Sequence, residues 1–216
     1  MMFKKQIKLF GLACLLLLSG CAKNMIGAPP QYAVKTPAQR QAQLAKVRSW
    51  RVDGEFSLQR TGYKPVIASY NWREINPVSY RINIDSALDL YQAEIIREFG
   101  IVKLWKNGSR VSTARSPEKL MQKVLGWSLP VTQLKYWMKG MPAKYAGPYH
   151  ATYDMYGHLI GLTQKGWTLS FGRYKTNEDG VDFPRSITMR RPGFYVKIAA
   201  REWFWYMQPY RVPEIL

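Results

Sequence analysis

Apolar and polar residues alternate strictly over several short stretches of the chain, a pattern typical of antiparallel strands with one buried face. Over residues 50–59, every second position is apolar or glycine, and the positions between them are polar. The same alternation recurs over residues 69–73 and 80–85. The side chains that we expect to face inward from these last two stretches are Tyr70, Trp72, Tyr80, Ile82 and Ile84.

Further stretches with strand character follow, separated by short turn signals such as Asn107-Gly108, a preferred pair in two-residue hairpins. They cover residues 91–97, 101–106, 110–114, 149–155, 159–164, 167–174, 185–191 and 194–203. The chain therefore has ten or eleven strands with short connections. Because a meander of that size curls to bury its apolar face, we predict a mainly β fold, a barrel or half-barrel with inserted helices.

Three helices interrupt or precede the strands. Thr36 and Gln39 form a capping-box pattern that begins a helix ending near Arg48. Two more helices are bounded by residues 116–126 and 130–140, with proline near each start and glycine at each end. Their apolar stripes consist of Leu120, Met121, Val124 and Leu125 in the first and Val131, Leu134, Trp137 and Met138 in the second.

The interior of such a barrel is either filled by side chains or left as a cavity. The inward-facing residues are large and aromatic, and aromatic stripes are more often core than ligand site. Periodicity alone leaves both possibilities open.

The N-terminus has the order of a secretory signal. Lysines precede an apolar stretch over residues 9–18 that is short for a membrane span, and Leu18-Ser19-Gly20-Cys21 follows. This ending resembles the bacterial lipobox, which implies cleavage before Cys21 and acylation of that residue with diacylglyceryl and N-acyl groups. An ordinary signal peptide or a short membrane anchor, with an unrelated cysteine, is the alternative. We assign residues 1–20 to the signal, 21–35 to a lipidated tether and 36–216 to a single domain.

Composition narrows the classes of partner. The formal net charge of +18 favours anionic partners, namely lipid headgroups, nucleic acid or an acidic protein, and export argues against nucleic acid. A scattered solubilising charge with no partner is the alternative. Only Cys14 and Cys21 carry thiols, so the mature chain has none for a disulfide or a thiolate metal site once Cys21 is acylated.

The sequence offers little for catalysis. His150 and His158 lie on neighbouring predicted strands, with Asp154 as the nearest carboxylate, and no further ligand completes a metal site. No Gly-x-Ser-x-Gly nucleophile motif is present. We therefore expect no enzymatic activity, no catalytic residues, no metal site and no cofactor beyond the acyl groups on Cys21.

One region resembles a known family. Residues 116–121 read Ser-Pro-Glu-Lys-Leu-Met, residues 125–131 read Leu-Gly-Trp-Ser-Leu-Pro-Val, and residues 136–142 read Tyr-Trp-Met-Lys-Gly-Met-Pro. These segments are similar to the LolB family of outer-membrane lipoproteins, and weaker similarity extends from about residue 47 to residue 205. The resemblance implies an incomplete antiparallel barrel of eleven strands with a helical lid over an apolar cavity.

The resemblance also implies a function. Such a protein accepts acylated lipoproteins from a periplasmic carrier and inserts them into the outer membrane without ATP, as a monomer anchored at the periplasmic face. Outer-membrane lipids are then its further partners. A lipid- or lipopolysaccharide-binding lipoprotein and a packed structural barrel are the alternatives. From periodicity, the candidates for cavity lining or lid are Trp72, Ile82, Ile84, Leu120, Val124, Leu134, Trp137 and Met138.

The family carries an exposed Pro-Leu-Gly loop whose leucine assists membrane insertion. The corresponding place here reads Ala87-Leu88-Asp89, so the resemblance assigns this role to Leu88. Asp89 replaces the glycine, and a carboxylate beside the leucine resists burial in lipid. An ordinary strand or turn role for Leu88 is the alternative. Ala22 favours the outer membrane, because an aspartate after the acylated cysteine retains lipoproteins at the inner membrane in that sorting system.

Overall fold

A single antiparallel sheet of eleven strands accounts for most of the described chain. The computed structural model describes residues 32–86 and 92–206, so the assignments on Cys21, Ala22 and Leu88 lie outside the described residues. The strands are β1 Ser49–Arg60, β2 Val66–Asn76, β3 Ser79–Ser86, β4 Gln92–Glu98, β5 Ile101–Lys106, β6 Ser109–Ala114, β7 Tyr149–Tyr153, β8 Leu159–Gln164, β9 Trp167–Thr176, β10 Asp182–Arg191 and β11 Phe194–Tyr206.

The order of the strands is β6-β5-β4-β3-β2-β1-β11-β10-β9-β8-β7. Sequence neighbours pair as hairpins, and the pairing of β1 with β11 joins the N-terminal and C-terminal halves. The sheet is open between β6 and β7, and the segment that connects these two edge strands carries helices α2 (Pro117–Leu125) and α3 (Val131–Trp137). This confirms the prediction of an incomplete antiparallel barrel with inserted helices.

The alternation of side chains is also confirmed. Trp50, Val52, Phe56 and Leu58 of β1 are buried, and so are the five residues of β2 and β3 that we expected to face inward. The ring of Trp50 lies 5.3 Å, between centroids, from that of Trp72 and equally far from that of Trp203. The period-two pattern therefore identifies the core face of the sheet.

Helix α1 (Pro37–Ala45) begins as predicted, since Thr36 Oγ1 accepts from the Gln39 amide and Gln39 Oε1 accepts from the Thr36 amide. Its predicted end near Arg48 is wrong. The Lys139 ammonium donates to the carbonyl oxygens of Leu44 and Val47, which stops the helix three residues earlier and lets β1 begin at Ser49.

The later helices have similar boundaries to those predicted. Ser116 caps α2 by accepting from the Lys119 amide, and Gly126 ends it with a φ of 74°. Helix α3 ends at Trp137 rather than at Gly140, because the Lys139 and Gly140 amides donate to carbonyls three residues back, tightening the last turn. Within residues 32–86 and 92–206, no helix is long and apolar enough to cross a bilayer.

A buried polar cluster fastens α1 to the strands. His158 is 1% exposed, and its Nδ1 and Nε2 lie 2.9 Å from carboxylate oxygens of Asp154 and Asp182, respectively. Arg40 of α1 forms an ion pair with the same Asp182 oxygen. The Tyr32 ring packs edge-on against the imidazole, with 4.7 Å between centroids. Within the described residues, the contacts of this cluster extend back to Tyr32, before α1.

Candidate functional site

An apolar cavity lies between the sheet and helices α2 and α3. Its volume is about 50 Å³. The residues around it come from five strands, both helices and the segment between the helices; they are Phe56, Tyr70, Trp72, Ile82, Ile84, Ile95, Met121, Leu129, Val131, Leu134, Met138 and Ile198. The one phenol among them is satisfied, because the Tyr70 hydroxyl donates to the Ala199 carbonyl at 3.2 Å. The site therefore offers dispersion contacts and no directional polar partner.

Local capping and two anchoring contacts position the helices over the cavity. Glu118 Oε1, in the first turn of α2, accepts from the Thr132 amide in the first turn of α3 at 2.9 Å. The indole of Trp137, at the end of α3, donates to Gln164 Oε1 at 3.0 Å. These contacts join the two helices to each other and the end of α3 to β8.

Five of the eight residues predicted as cavity lining or lid surround the cavity: Trp72, Ile82, Ile84, Leu134 and Met138. The other three, Leu120, Val124 and Trp137, belong to the two covering helices and do not line the cavity. Leu120 and Trp137 are fully buried in the core, and Val124 is half-buried against it. The reason is helix geometry, because adjacent helical positions point about 100° apart and Met121 takes the cavity-facing position beside Leu120.

The prediction omitted seven lining residues. Phe56, Tyr70, Met121 and Val131 lie on the inward strand faces or helical stripes of the sequence pattern, so their period was a usable signal. Ile95 and Ile198 lie in predicted strands, where the same alternation applies. Leu129 lies in the irregular segment between the helices, where no periodicity exists to reveal it.

The cavity is small in this conformation. Pockets that hold drug-sized ligands have volumes of roughly 300–1,000 Å³, several times the space observed here. An acyl chain therefore fits between the sheet and the helices only if the helices move outward.

Charged residues lie beside the cavity where α3 meets β2. The Lys135 ammonium lies 3.7 Å from Glu74 Oε1, and the Trp72 indole donates to the other oxygen of Glu74 at 3.3 Å. Burial raises the pKa of Glu74 to about 7, although Lys135 and the indole oppose the shift. Burial likewise lowers the pKa of Lys139 to about 8 against the attraction of Glu74. This cluster ties the lid to the strand that carries Trp72.

Comparison with known proteins identifies the family. The model of the family described as "Outer membrane lipoprotein LolB" matches residues 48–203. The chain belongs to the LolB family. A LolB of Coxiella burnetii (strain RSA 493 / Nine Mile phase I) is 41% identical over 192 residues, covering 87% of this chain and 88% of the relative. The LolB of Aeromonas hydrophila is 27% identical over 197 residues, covering 91% and 96%.

A solved structure shares the LolB-family fold at much lower identity. A LolA superfamily protein from Nitrosomonas europaea superposes with a TM-score of 0.51 at 11% identity, over 84% of this chain and 96% of that one. At this identity the likeness concerns the fold alone. The family resemblance read from the two-helix segment is thus confirmed, together with the barrel-like architecture that it implied.

Proposed function

We propose that this protein accepts acylated lipoproteins from a periplasmic carrier, holds their acyl chains between the sheet and helices α2 and α3, and delivers them to the outer membrane. The observation that carries the proposal is the cavity itself, which has only apolar walls and is covered by two helices in a LolB-family fold. Acyl chains are apolar and flexible, and they need no directional partner.

Burial of the acyl chain alone supplies the driving force for its binding. Each methylene removed from water contributes about 0.8 kcal/mol, so a few methylenes are worth several kcal/mol. Met121 and Met138 suit such a ligand, because thioether side chains adapt their shape at small cost. Transfer then runs downhill from carrier to receptor to membrane, with no bond made or broken and no nucleotide.

Opening of the lid is part of this proposal. The end of α3 is anchored by the buried contact between Trp137 and Gln164. By contrast, the end of α2 contacts β1 through an exposed hydrogen bond of 2.6 Å, from Arg60 to the Gly126 carbonyl. Exposed contacts open at the smallest cost. We assign the outward movement to α2, with α3 following about its anchored end.

We assign attachment to the membrane and delivery of the cargo to two residues outside the described ranges, Cys21 and Leu88. Acylation of Cys21 would hold the domain at the periplasmic face of the outer membrane. Leu88 lies in the connection between β3 and β4, and we assign to it the insertion step. Asp89 makes that insertion shallower than a glycine would, since a carboxylate resists burial in lipid. The protein acts as a monomer in this scheme.

A transfer assay tests the proposal. The mature chain with Cys21→Ala is expected to take a lipoprotein from the loaded carrier in the absence of a membrane. Adding Leu88→Glu should leave uptake unchanged and slow delivery to vesicles by at least about tenfold, because a charged side chain in lipid costs roughly 2 to 3 kcal/mol. Phe99→Glu is the matched control, since Phe99 is 99% exposed at a hairpin of the opposite end of the sheet.

Two outcomes count against the proposal. If the Cys21→Ala chain is folded and takes up no lipoprotein, the receptor function fails and a packed structural barrel explains the nearly filled interior better. If Leu88→Glu reduces uptake and delivery equally, or if Phe99→Glu slows delivery as much, Leu88 has no separate insertion role.

A further inference from the structure

The two ends of the sheet differ in charge. In an antiparallel meander, alternate hairpins emerge at opposite ends. The connections β1–β2, β3–β4, β5–β6, β8–β9 and β10–β11 share one end, and β2–β3, β4–β5, β7–β8 and β9–β10 share the other. We call the first end the basic end. We assign to it the residues in its connections and those within two positions of a connection.

Seven basic residues belong to the basic end: Arg60, Lys64, Lys106, Arg110, Lys165, Arg190 and Arg191. Among the described residues, one acidic residue, Asp85, belongs to the same end. By the same rule the hairpins of the opposite end hold two basic residues, Arg97 and Lys175, and Arg48 before β1 and Arg115 after β6 lie at that end outside any hairpin. Its five acidic residues are Glu98, Asp154, Glu178, Asp179 and Asp182. The hairpins of the basic end thus carry more positive than negative residues, and those of the opposite end carry more negative than positive residues. The rest of the chain's positive charge lies on strand faces, helices and the segments outside these hairpins.

Aromatic rings, rather than carboxylates, position the arginines of the basic end. The Arg191 guanidinium lies 4.5 Å from the Trp167 ring centroid and 4.1 Å from that of Phe194. Arg60 and Arg190 lie over the rings of their neighbours Tyr63 and Tyr195, at 4.0 and 4.8 Å. Within residues 32–86 and 92–206, none of these three arginines forms an ion pair with a carboxylate. Arg190 and Arg191 are exposed, so their charge is available to an external anion, whereas Arg60 also donates to the Gly126 carbonyl.

We propose that the basic end is a docking surface for an anionic membrane, whose lipid phosphates the arginines and lysines bind. Guanidinium groups match phosphate oxygens bidentately, and an arginine stacked on an aromatic ring presents charge and apolar surface together. Aromatic side chains beside cations are typical of the boundary between headgroups and acyl chains. The inference rests on the proposed delivery to a membrane and names the surface that makes the approach.

The topology of the sheet places the basic end at the connection that carries Leu88, to which we assign the insertion step. The β3–β4 connection, which carries Leu88, leaves β3 after Ser86 and enters β4 at Gln92, among the hairpins of the basic end. Tyr32, the first described residue, lies beside the β7–β8 connection of the opposite end. Eleven residues from Cys21 extend at most about 40 Å, close to the length of a twelve-residue strand. Such a tether is long enough for the basic end to reach the anchoring membrane.

Vesicle binding tests this inference separately from uptake. The Cys21→Ala mature chain is expected to sediment with vesicles that contain phosphatidylglycerol, and to do so far less with phosphatidylcholine alone or in high salt. The triple variant Lys64→Glu, Arg110→Glu, Arg190→Glu should bind phosphatidylglycerol vesicles at least about tenfold more weakly. The matched control is Lys46→Glu, Lys144→Glu, Lys175→Glu, which changes the charge equally at exposed positions away from the basic end.

The expected result is loss of vesicle binding in the first triple variant only. Equal loss in both variants would overturn the inference, because the effect would then be one of net charge. Unchanged vesicle binding with reduced uptake in the first variant would also overturn it, and would assign the surface to the carrier. Failure of the unaltered Cys21→Ala chain to take up lipoprotein would reject the proposed function and leave the vesicle result standing.

Discussion

Replacing Leu134 by tryptophan is expected to lower uptake of lipoproteins from the carrier at least tenfold, a loss of about 1.4 kcal/mol in binding. Leu134 is buried at the cavity, and the larger indole would occupy the space of about 50 Å³ that the acyl chain enters first. Overpacking of this kind costs about 1–3 kcal/mol of folding free energy, which a domain of this size tolerates. The measurement is transfer of a labelled lipoprotein from carrier to the Cys21→Ala chain.

Leu125→Trp is the matched control for this prediction. Leu125 ends α2, is partly buried against the core and does not line the cavity. The Leu125→Trp substitution introduces the same indole into the lid without filling the cavity. If uptake is as low in Leu125→Trp as in Leu134→Trp, or is unchanged in both, the cavity is not the site that binds the acyl chain.

Replacing Asp182 by alanine is expected to lower the free energy of unfolding at pH 7 by about 3–5 kcal/mol, because the change leaves buried Arg40 and His158 without their shared partner. Urea unfolding measures the loss. Asp179→Ala is the control, since Asp179 is exposed three residues earlier. Equal effects of the two substitutions would contradict a structural role for the cluster.

The same cluster predicts a pH dependence. Burial tends to raise the pKa of both Asp154 and Asp182, but hydrogen bonds to His158 outweigh it, and the pKa of each carboxyl lies below its usual value. Their stabilising contribution is therefore complete above the usual carboxyl pKa near 4 and is lost as the pH falls through the lower folded-state values. In Asp182→Ala, the difference from the parent chain should shrink at such acidic pH.

The sequence predicted the strands and helix starts well because both depend on local patterns. The alternation over residues 50–59 has a period of two that leaves one buried face, and the Thr36–Gln39 capping box satisfies backbone amides within one turn. Trp72, Ile82 and Ile84 could be placed at the cavity for the same reason. On a helix, an apolar stripe includes neighbouring positions, so the pattern assigns Leu120 to the lid helix but does not show that Met121 is the residue facing the cavity.

The features that the sequence did not predict depend on contacts between distant parts of the chain. Arg40 meets Asp182 across 142 positions, and the same Asp182, at the start of β10, supplies the second carboxylate beside His158. No local pattern in the sequence pairs these residues. The early end of α1 has a similar origin, because the Lys139 ammonium that caps it comes from the segment after α3. The volume of the cavity follows from the packing of all its walls together.

Photo-crosslinking from an acyl chain tests directly whether the cavity between the sheet and the helices holds that chain. A lipoprotein with a photoreactive group near the end of one acyl chain is loaded on the carrier, transferred to the Cys21→Ala chain and irradiated, and the labelled peptides are identified by mass spectrometry. If the cavity holds the acyl chain, adducts are expected on both of its walls. They should form at Ile84 or Ile198 of the sheet and at Met121 or Leu134 of the helices. Adducts confined to exposed residues such as Tyr145, with the cavity walls unlabelled, would contradict this expectation.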